Sequence, residues 1–82
     1  MSDILIVDDE KDIRELISEI LIDEGYSTRM SSNSADCLSQ VHKEPPGLLI
    51  LDIWLKDSNM DGIDILKKVK VDYPHVPVVI IS

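Results

Sequence analysis

Ile4-Leu5-Ile6-Val7-Asp8-Asp9 and Leu48-Leu49-Ile50-Leu51-Asp52 are two short apolar runs, each ending in acid. Their reading decides the fold. A continuous apolar run without polar alternation suits a strand covered on both faces, and such strands belong to parallel sheets flanked by helices. If the two runs lie side by side and parallel, Asp8, Asp9 and Asp52 emerge together at the carboxyl edge, where open α/β sheets place their ligands. Three carboxylates in one crevice repel one another. At a few ångström and an effective dielectric of 20, each pair is unfavourable by about 4 kcal/mol, large beside the ~5–15 kcal/mol that holds a domain together. A cation or a proton is required there, and oxygen-only ligands suit a hard ion such as Mg²⁺.

Outward from these runs the chain alternates between elements, with no linker or repeat. Residues 11–24 place Ile13, Leu16, Ile17, Ile20 and Leu21 at helical spacing, and Gly25 supplies a left-handed stop. Residues 26–30 read as an edge strand with polar residues interleaved. Asn33, with Asp36 three residues on, opens a second helix through Leu38 and Val41 that Pro45-Pro46-Gly47 ends. After the strand at 48–51, residues 62–73 predict a helix with Ile63, Leu66, Val69 and Tyr73 inward, and 76–81 a fourth strand with Pro77 at its start. The order βαβαβαβ, with right-handed crossovers, gives a doubly wound parallel α/β sheet.

Composition sets the bounds. With 82 residues the chain is one domain, and with no Phe its core must come from Ile, Leu and Val. A net charge of -8 leaves no surplus of bases to bind a phosphate backbone, so direct contact with nucleic acid is not expected. Cys37 is the only cysteine, which rules out an internal disulfide and suits a reducing, cytoplasmic setting; no apolar stretch reaches the ~18–20 residues of a membrane span. Nothing at Met1-Ser2-Asp3 has the pattern of a signal peptide. Cys37 reads as a buried or half-buried helix residue. His42 and His75 lack partners at metal spacing and read as a helix-surface and a turn residue. The Trp54 side chain is expected to pack or shield.

Val7-Asp8-Asp9-Glu10, Leu51-Asp52, Met60-Asp61-Gly62 and Ser82 closing the last strand together resemble the receiver domain of two-component response regulators. The resemblance implies a flavodoxin-like sheet of order 2-1-3-4-5, of which strands 2-1-3-4 fall within this chain. It implies Asp52 as phosphoacceptor, with Mg²⁺ held by Asp9, Asp52 and the backbone carbonyl of Trp54, Asp8 acting through a water, and the Ser82 hydroxyl offered to a phosphoryl oxygen. In an intact domain it implies Mg²⁺-dependent self-phosphorylation and autodephosphorylation at Asp52. The loop from Ile53 to Met60 is two residues longer than is usual in the family and lacks the usual proline. It is similar to that of NtrX-type nitrogen regulators, whose receiver precedes an AAA+ ATPase and a DNA-binding domain. The partners implied are a sensor histidine kinase and an output domain regulating transcription. Family members continue through a helix, a fifth strand bearing a Lys, and a last helix. The 82 residues therefore read as the first two-thirds of a receiver and as a piece of a longer protein, with site charge left under-neutralised and a bare edge at Val78-Val79-Ile80-Ile81 that could support a homodimer.

Other readings compete. Asp8 or Asp9 could simply cap the helix that follows, worth about 0.5–2 kcal/mol, and the domain could then be a non-phosphorylated, receiver-like interaction module. Two strands ending in acid, with a serine ending a fourth, favour a site instead. Asp57-Ser58-Asn59-Met60-Asp61-Gly62 fits the first half of a calcium EF-hand loop, but Lys68 stands at the twelfth position, where a bidentate Glu is needed. A haloacid-dehalogenase-type phosphatase would need an acid two residues beyond Asp52, where this chain has Trp54.

Overall fold

In a computed structural model, which describes residues 3–55 and 60–81, the elements are β1 (Asp3–Val7), α1 (Lys11–Asp23), β2 (Ser27–Ser31), α2 (Ser34–Lys43), β3 (Leu48–Asp52), α3 (Gly62–Asp72) and β4 (Val78–Ile81). The four strands form one parallel sheet in the order β2-β1-β3-β4. This is the doubly wound arrangement expected, with element ends within two residues of those read from the sequence.

The two acid-ended apolar runs take the centre of the sheet, where strands are covered on both sides. Ile4, Leu5, Ile6 and Val7 are all buried, as are Leu49 and Leu51 in the neighbouring strand. Leu5, Val7, Leu49 and Leu51 point to one face and meet Cys37 and Val41 of α2 and Ile65 and Val69 of α3. Turns and caps follow local chemistry. Gly25 has φ 96°, the left-handed geometry that glycine adopts without penalty, and the Tyr26 amide closes the helix by donating to the Leu21 carbonyl at 3.0 Å. Asn33 Oδ1 accepts from the Asp36 amide at 2.8 Å, and Asp61 Oδ1 from the Asp64 amide at 2.9 Å, so both later helices begin on a side-chain cap.

Two expectations about helix faces are corrected. In α3, Ile65 rather than Ile63 enters the core: Gly62, Ile65 and Val69 form the buried stripe, while Ile63 is only half-buried. In α1, the fully buried residue is Ser18, whose hydroxyl lies 2.7 Å from that of Thr28 on β2, while Ile13, Leu16 and Ile20 are 36%, 54% and 54% exposed. The cause is geometric. Helix α1 packs on β1 and β2, and among the described residues no further element covers its far side. The apolar stripe read from the sequence is thus wider than the surface beneath it. Val79, on the α1 side of the edge strand β4, is likewise 47% exposed, whereas Val78 and Ile80 face the α2–α3 core.

Away from the carboxyl edge, Arg29 pairs with Asp3 and donates to the carbonyls of Glu44, at 2.7 Å, and Gln40, at 3.4 Å. It adds a second donor to the Gln40 carbonyl, which already accepts from the Glu44 amide at 3.0 Å, and gives a partner to the carbonyl of Glu44, the residue that caps α2. His42 is on the α2 surface as expected, with Nδ1 2.9 Å from the Tyr73 hydroxyl. Cys37 is fully buried, and burial, with Asp36 adding, pushes its thiol up to about 12. No helix among the described residues is long and apolar enough to cross a membrane.

Candidate functional site

Val7 of β1 and Leu51 of β3 are partners in register, so the next residue of each strand reaches the carboxyl edge at the same level. That single fact gathers the acids. Asp8, Asp9 and Asp52 each bring a carboxylate oxygen within 4.8 Å of the others. Asp8 is buried at 4% exposure, while Asp9 and Asp52 are half-buried. A crevice of about 240 Å³ opens on Asp8 and Asp52, lined also by Glu10, Ile13 and Ile81.

Asp8 and Asp52 are held alike. Asp8 Oδ1 accepts from the Glu10 amide at 2.9 Å and Asp52 Oδ1 from the Trp54 amide at 3.0 Å, each two residues along. Both turns rigidify a carboxylate at a strand end. The residue capping α1 is Glu10, without a side-chain cap, so the Asp8 carboxylate is committed to the turn and not to the helix end. Three more bonds fix the backbone: the Asp8 amide donates to the Ser31 carbonyl at 3.2 Å, the Ile53 amide to the Ile81 carbonyl at 2.9 Å, and Arg14 Nη1 to the Asp8 carbonyl at 2.7 Å.

Beneath Asp52, the first turn of α3 comes as close as backbone allows. A Cβ on Gly62 would lie 2.5 Å from the Asp52 carbonyl oxygen and 2.6 Å from Ile53 Cα, and the Gly62 amide donates to the Ile53 carbonyl at 3.1 Å. Only glycine permits this contact. Trp54, expected to pack or shield, instead has its side chain 69% exposed: the turn that binds its amide to Asp52 leaves the indole outside the core. Ser82, expected beside the phosphoryl group, lies outside the described residues, as do residues 57–59 of the EF-hand-like stretch.

The donor set is oxygen alone, which fits a hard divalent ion and argues against a thiophilic one. Burial raises the Asp8 carboxyl above its ordinary range. The charges of Asp52, Asp9 and Glu10 act in the same direction, and the Glu10 amide opposes them. In metal-free protein the folded state therefore holds the Asp8 proton more tightly than the unfolded chain. The stability this gives is fully present below the unfolded value of 3.8 and is lost as pH rises through the raised folded value. Asp8→Asn is accordingly expected to stabilise the metal-free protein at neutral pH by about 0.5–2 kcal/mol, as relief of a strained functional site commonly does. Urea denaturation in the presence of chelator checks this; a lower midpoint for Asp8→Asn would contradict it.

Sequence reasoning found the three acids and quoted Glu10 beside them without a role, but gave Arg14 and Ile13 no place at the site, where Ile13 lines the crevice and Arg14 supports it. A base six residues after Asp8 carries no motif of its own, and its role depends on where the first turns of α1 fall.

The comparisons with known proteins agree with the fold. The family model described as the response regulator receiver domain matches residues 4–82. The nitrogen assimilation regulatory protein NtrX of Azorhizobium caulinodans is 49% identical over 80 residues, which are 98% of this chain and 18% of that protein. Sporulation initiation phosphotransferase F of Bacillus subtilis is 44% identical over 79 residues, 96% of this chain and 62% of that protein. The crystal structure of the receiver domain of NtrX from Brucella abortus superposes with a TM-score of 0.93 at 45% identity, covering 95% of this chain and 65% of that one. The chain thus spans less than a fifth of the length of the nitrogen regulator and about two-thirds or slightly less of the two shorter proteins.

Proposed function

The chain belongs to the response regulator receiver family, and from that membership we propose that Asp52 accepts a phosphoryl group from the phosphohistidine of a sensor kinase, at a site where Asp9, Asp52 and the Trp54 carbonyl hold Mg²⁺ and Asp8 acts through a water. The observation that carries this reading is the meeting of Asp8, Asp9 and Asp52 within 4.8 Å at the carboxyl edge of adjacent parallel strands. An Asp52 carboxylate oxygen attacks phosphorus, a P–O bond forms, the P–N bond of the phosphohistidine breaks, and its electron pair returns to the imidazole. Mg²⁺, when bound, offsets negative charge on the three carboxylates and on the phosphoryl oxygens.

The residues of this chain supply the positioning. The turn to the Trp54 amide orients Asp52, and the close approach of Gly62 fixes the backbone behind it. Burial raises the Asp8 carboxyl, which makes charge compensation at this position favourable. Ser82 is assigned the hydroxyl that steadies a phosphoryl oxygen. In the longer protein, a transcription-regulating output domain of the AAA+ and DNA-binding kind would read the state of Asp52.

The test uses the intact protein and acetyl phosphate as donor. With Mg²⁺ present, mass spectrometry is expected to show one added phosphoryl group that survives acid and is removed by base or hydroxylamine, as an acyl phosphate is. Chelator should abolish it. Absence of labelling with Mg²⁺ present would count against the reading.

A further inference from the structure

The peptide joining Asp8 to Asp9 is held from α1. Asp8 offers three polar groups near its backbone, and each is engaged by a different part of the chain: its amide by the Ser31 carbonyl of β2 at 3.2 Å, its Oδ1 by the Glu10 amide at 2.9 Å, and its carbonyl by Arg14 Nη1 at 2.7 Å. The first two bonds set Asp8. The third acts on Asp9. A peptide unit is planar, so fixing the direction of the Asp8 carbonyl also fixes the Asp9 amide and the bond to Asp9 Cα, from which that carboxylate departs. Arg14 is itself half-buried, and its own amide donates to the Glu10 carbonyl at 3.1 Å, so the backbone from which its side chain reaches the Asp8 carbonyl is fixed in the first turn of α1.

We propose that Arg14 is a positioning residue of the acidic site, which by clamping the Asp8 carbonyl aims the Asp9 carboxylate at the place it shares with Asp8 and Asp52 and so sets the affinity for a divalent cation. The inference rests on the metal-binding reading given above. A simpler role, that of a cation softening the repulsion among acids, makes the opposite prediction. A positive charge near the site repels a divalent ion, so removing it would tighten binding. A clamp, when removed, loosens binding, as happens when the residues that orient metal ligands are replaced. The two roles differ in sign.

Intact protein is titrated with Mn²⁺, and the free-ion signal is followed by electron paramagnetic resonance, with urea denaturation of each metal-free variant and the backbone NMR resonance of the Asp9 amide as companion readouts. Arg14→Met is expected to weaken Mn²⁺ binding by about tenfold, to shift the Asp9 amide resonance, and to do so at an affinity cost separate from any change in urea midpoint. Arg14→Lys, which can still donate to the Asp8 carbonyl without the planar fork, is expected to fall between Arg14→Met and the unaltered protein. Arg14→Gln carries the same expectation as the methionine variant and serves if that variant does not fold. Unchanged or tighter binding in Arg14→Met or Arg14→Gln, while Asp52→Asn loses Mn²⁺, overturns the positioning role and leaves the metal site standing. If the unaltered protein binds no Mn²⁺, the metal-binding reading falls, and the positioning role with it.

Discussion

Replacing Asp52 with Asn in the intact protein is expected to lower phosphoryl incorporation from acetyl phosphate by on the order of a thousandfold or more, because the group removed is the nucleophile and not one of its helpers. The amide is nearly the same size and can still accept from the Trp54 amide through its carbonyl oxygen, so the turn at the end of β3 should survive. Loss of labelling would then reflect chemistry and not collapse. The same change removes one of three carboxylates that lie within 4.8 Å of one another. Metal-free Asp52→Asn should therefore unfold at a higher urea concentration than the unaltered protein, while Mg²⁺ protects it less. Less labelling with a raised midpoint is a pairing that damage to the fold does not produce. Labelling of Asp52→Asn at the original rate would show that the acceptor lies elsewhere, and would move the domain toward the reading as a docking module.

The second large effect is expected at Gly62. A methyl group there meets backbone atoms, the Asp52 carbonyl oxygen at 2.5 Å and Ile53 Cα at 2.6 Å, so no side-chain rotation can make room. Either α3 retreats or the end of β3 moves. Overpacking of this kind costs about 1–3 kcal/mol, and a displacement of the nucleophile by as little as ~1 Å can slow a reaction a hundredfold. Gly62→Ala is expected to show both losses, in urea midpoint and in initial labelling rate. Gly25→Ala is the control. It also strains the chain, since φ there is 96°, but a Cβ meets nothing within 4 Å. It should lose stability by about 1 kcal/mol and leave the labelling rate unchanged. If Gly62→Ala labels as fast as Gly25→Ala, the close approach under Asp52 has no part in placing it.

What was legible in the sequence follows a physical divide. The runs ending in Asp8-Asp9 and Asp52 could be read because a strand buried on both faces has no choice but continuous apolar residues, and adjacency of β1 and β3 then brings the acids together. The helix cap at Asn33 and the stop at Gly25 are equally local. Facing was harder. Ile63 and Ile65 both suit a helix, and it is Ile65, on the stripe with Gly62 and Val69, that turns inward. Ile13, Leu16 and Ile20 form a proper apolar stripe, yet periodicity reports what a helix could bury and not what stands opposite it. Trp54 was misjudged for a related reason: its size argues for burial, while its place two residues past Asp52 binds its backbone to the site and sends the ring outward. Arg14 acts through one carbonyl, and contacts to backbone leave no pattern in residue identity.

Cys37 offers a clock that needs no added label. Its thiol is fully enclosed between α2 and the sheet and, pushed up to about 12, carries almost no thiolate at neutral pH. A thiol reagent can reach it only in molecules that have opened. With reagent slow relative to reclosing, the trapping rate measures the population of the open form. Because α2 bears none of the three acids, any slowing of that clock on adding Mg²⁺ would report binding energy gained at the carboxyl edge and felt across the whole fold.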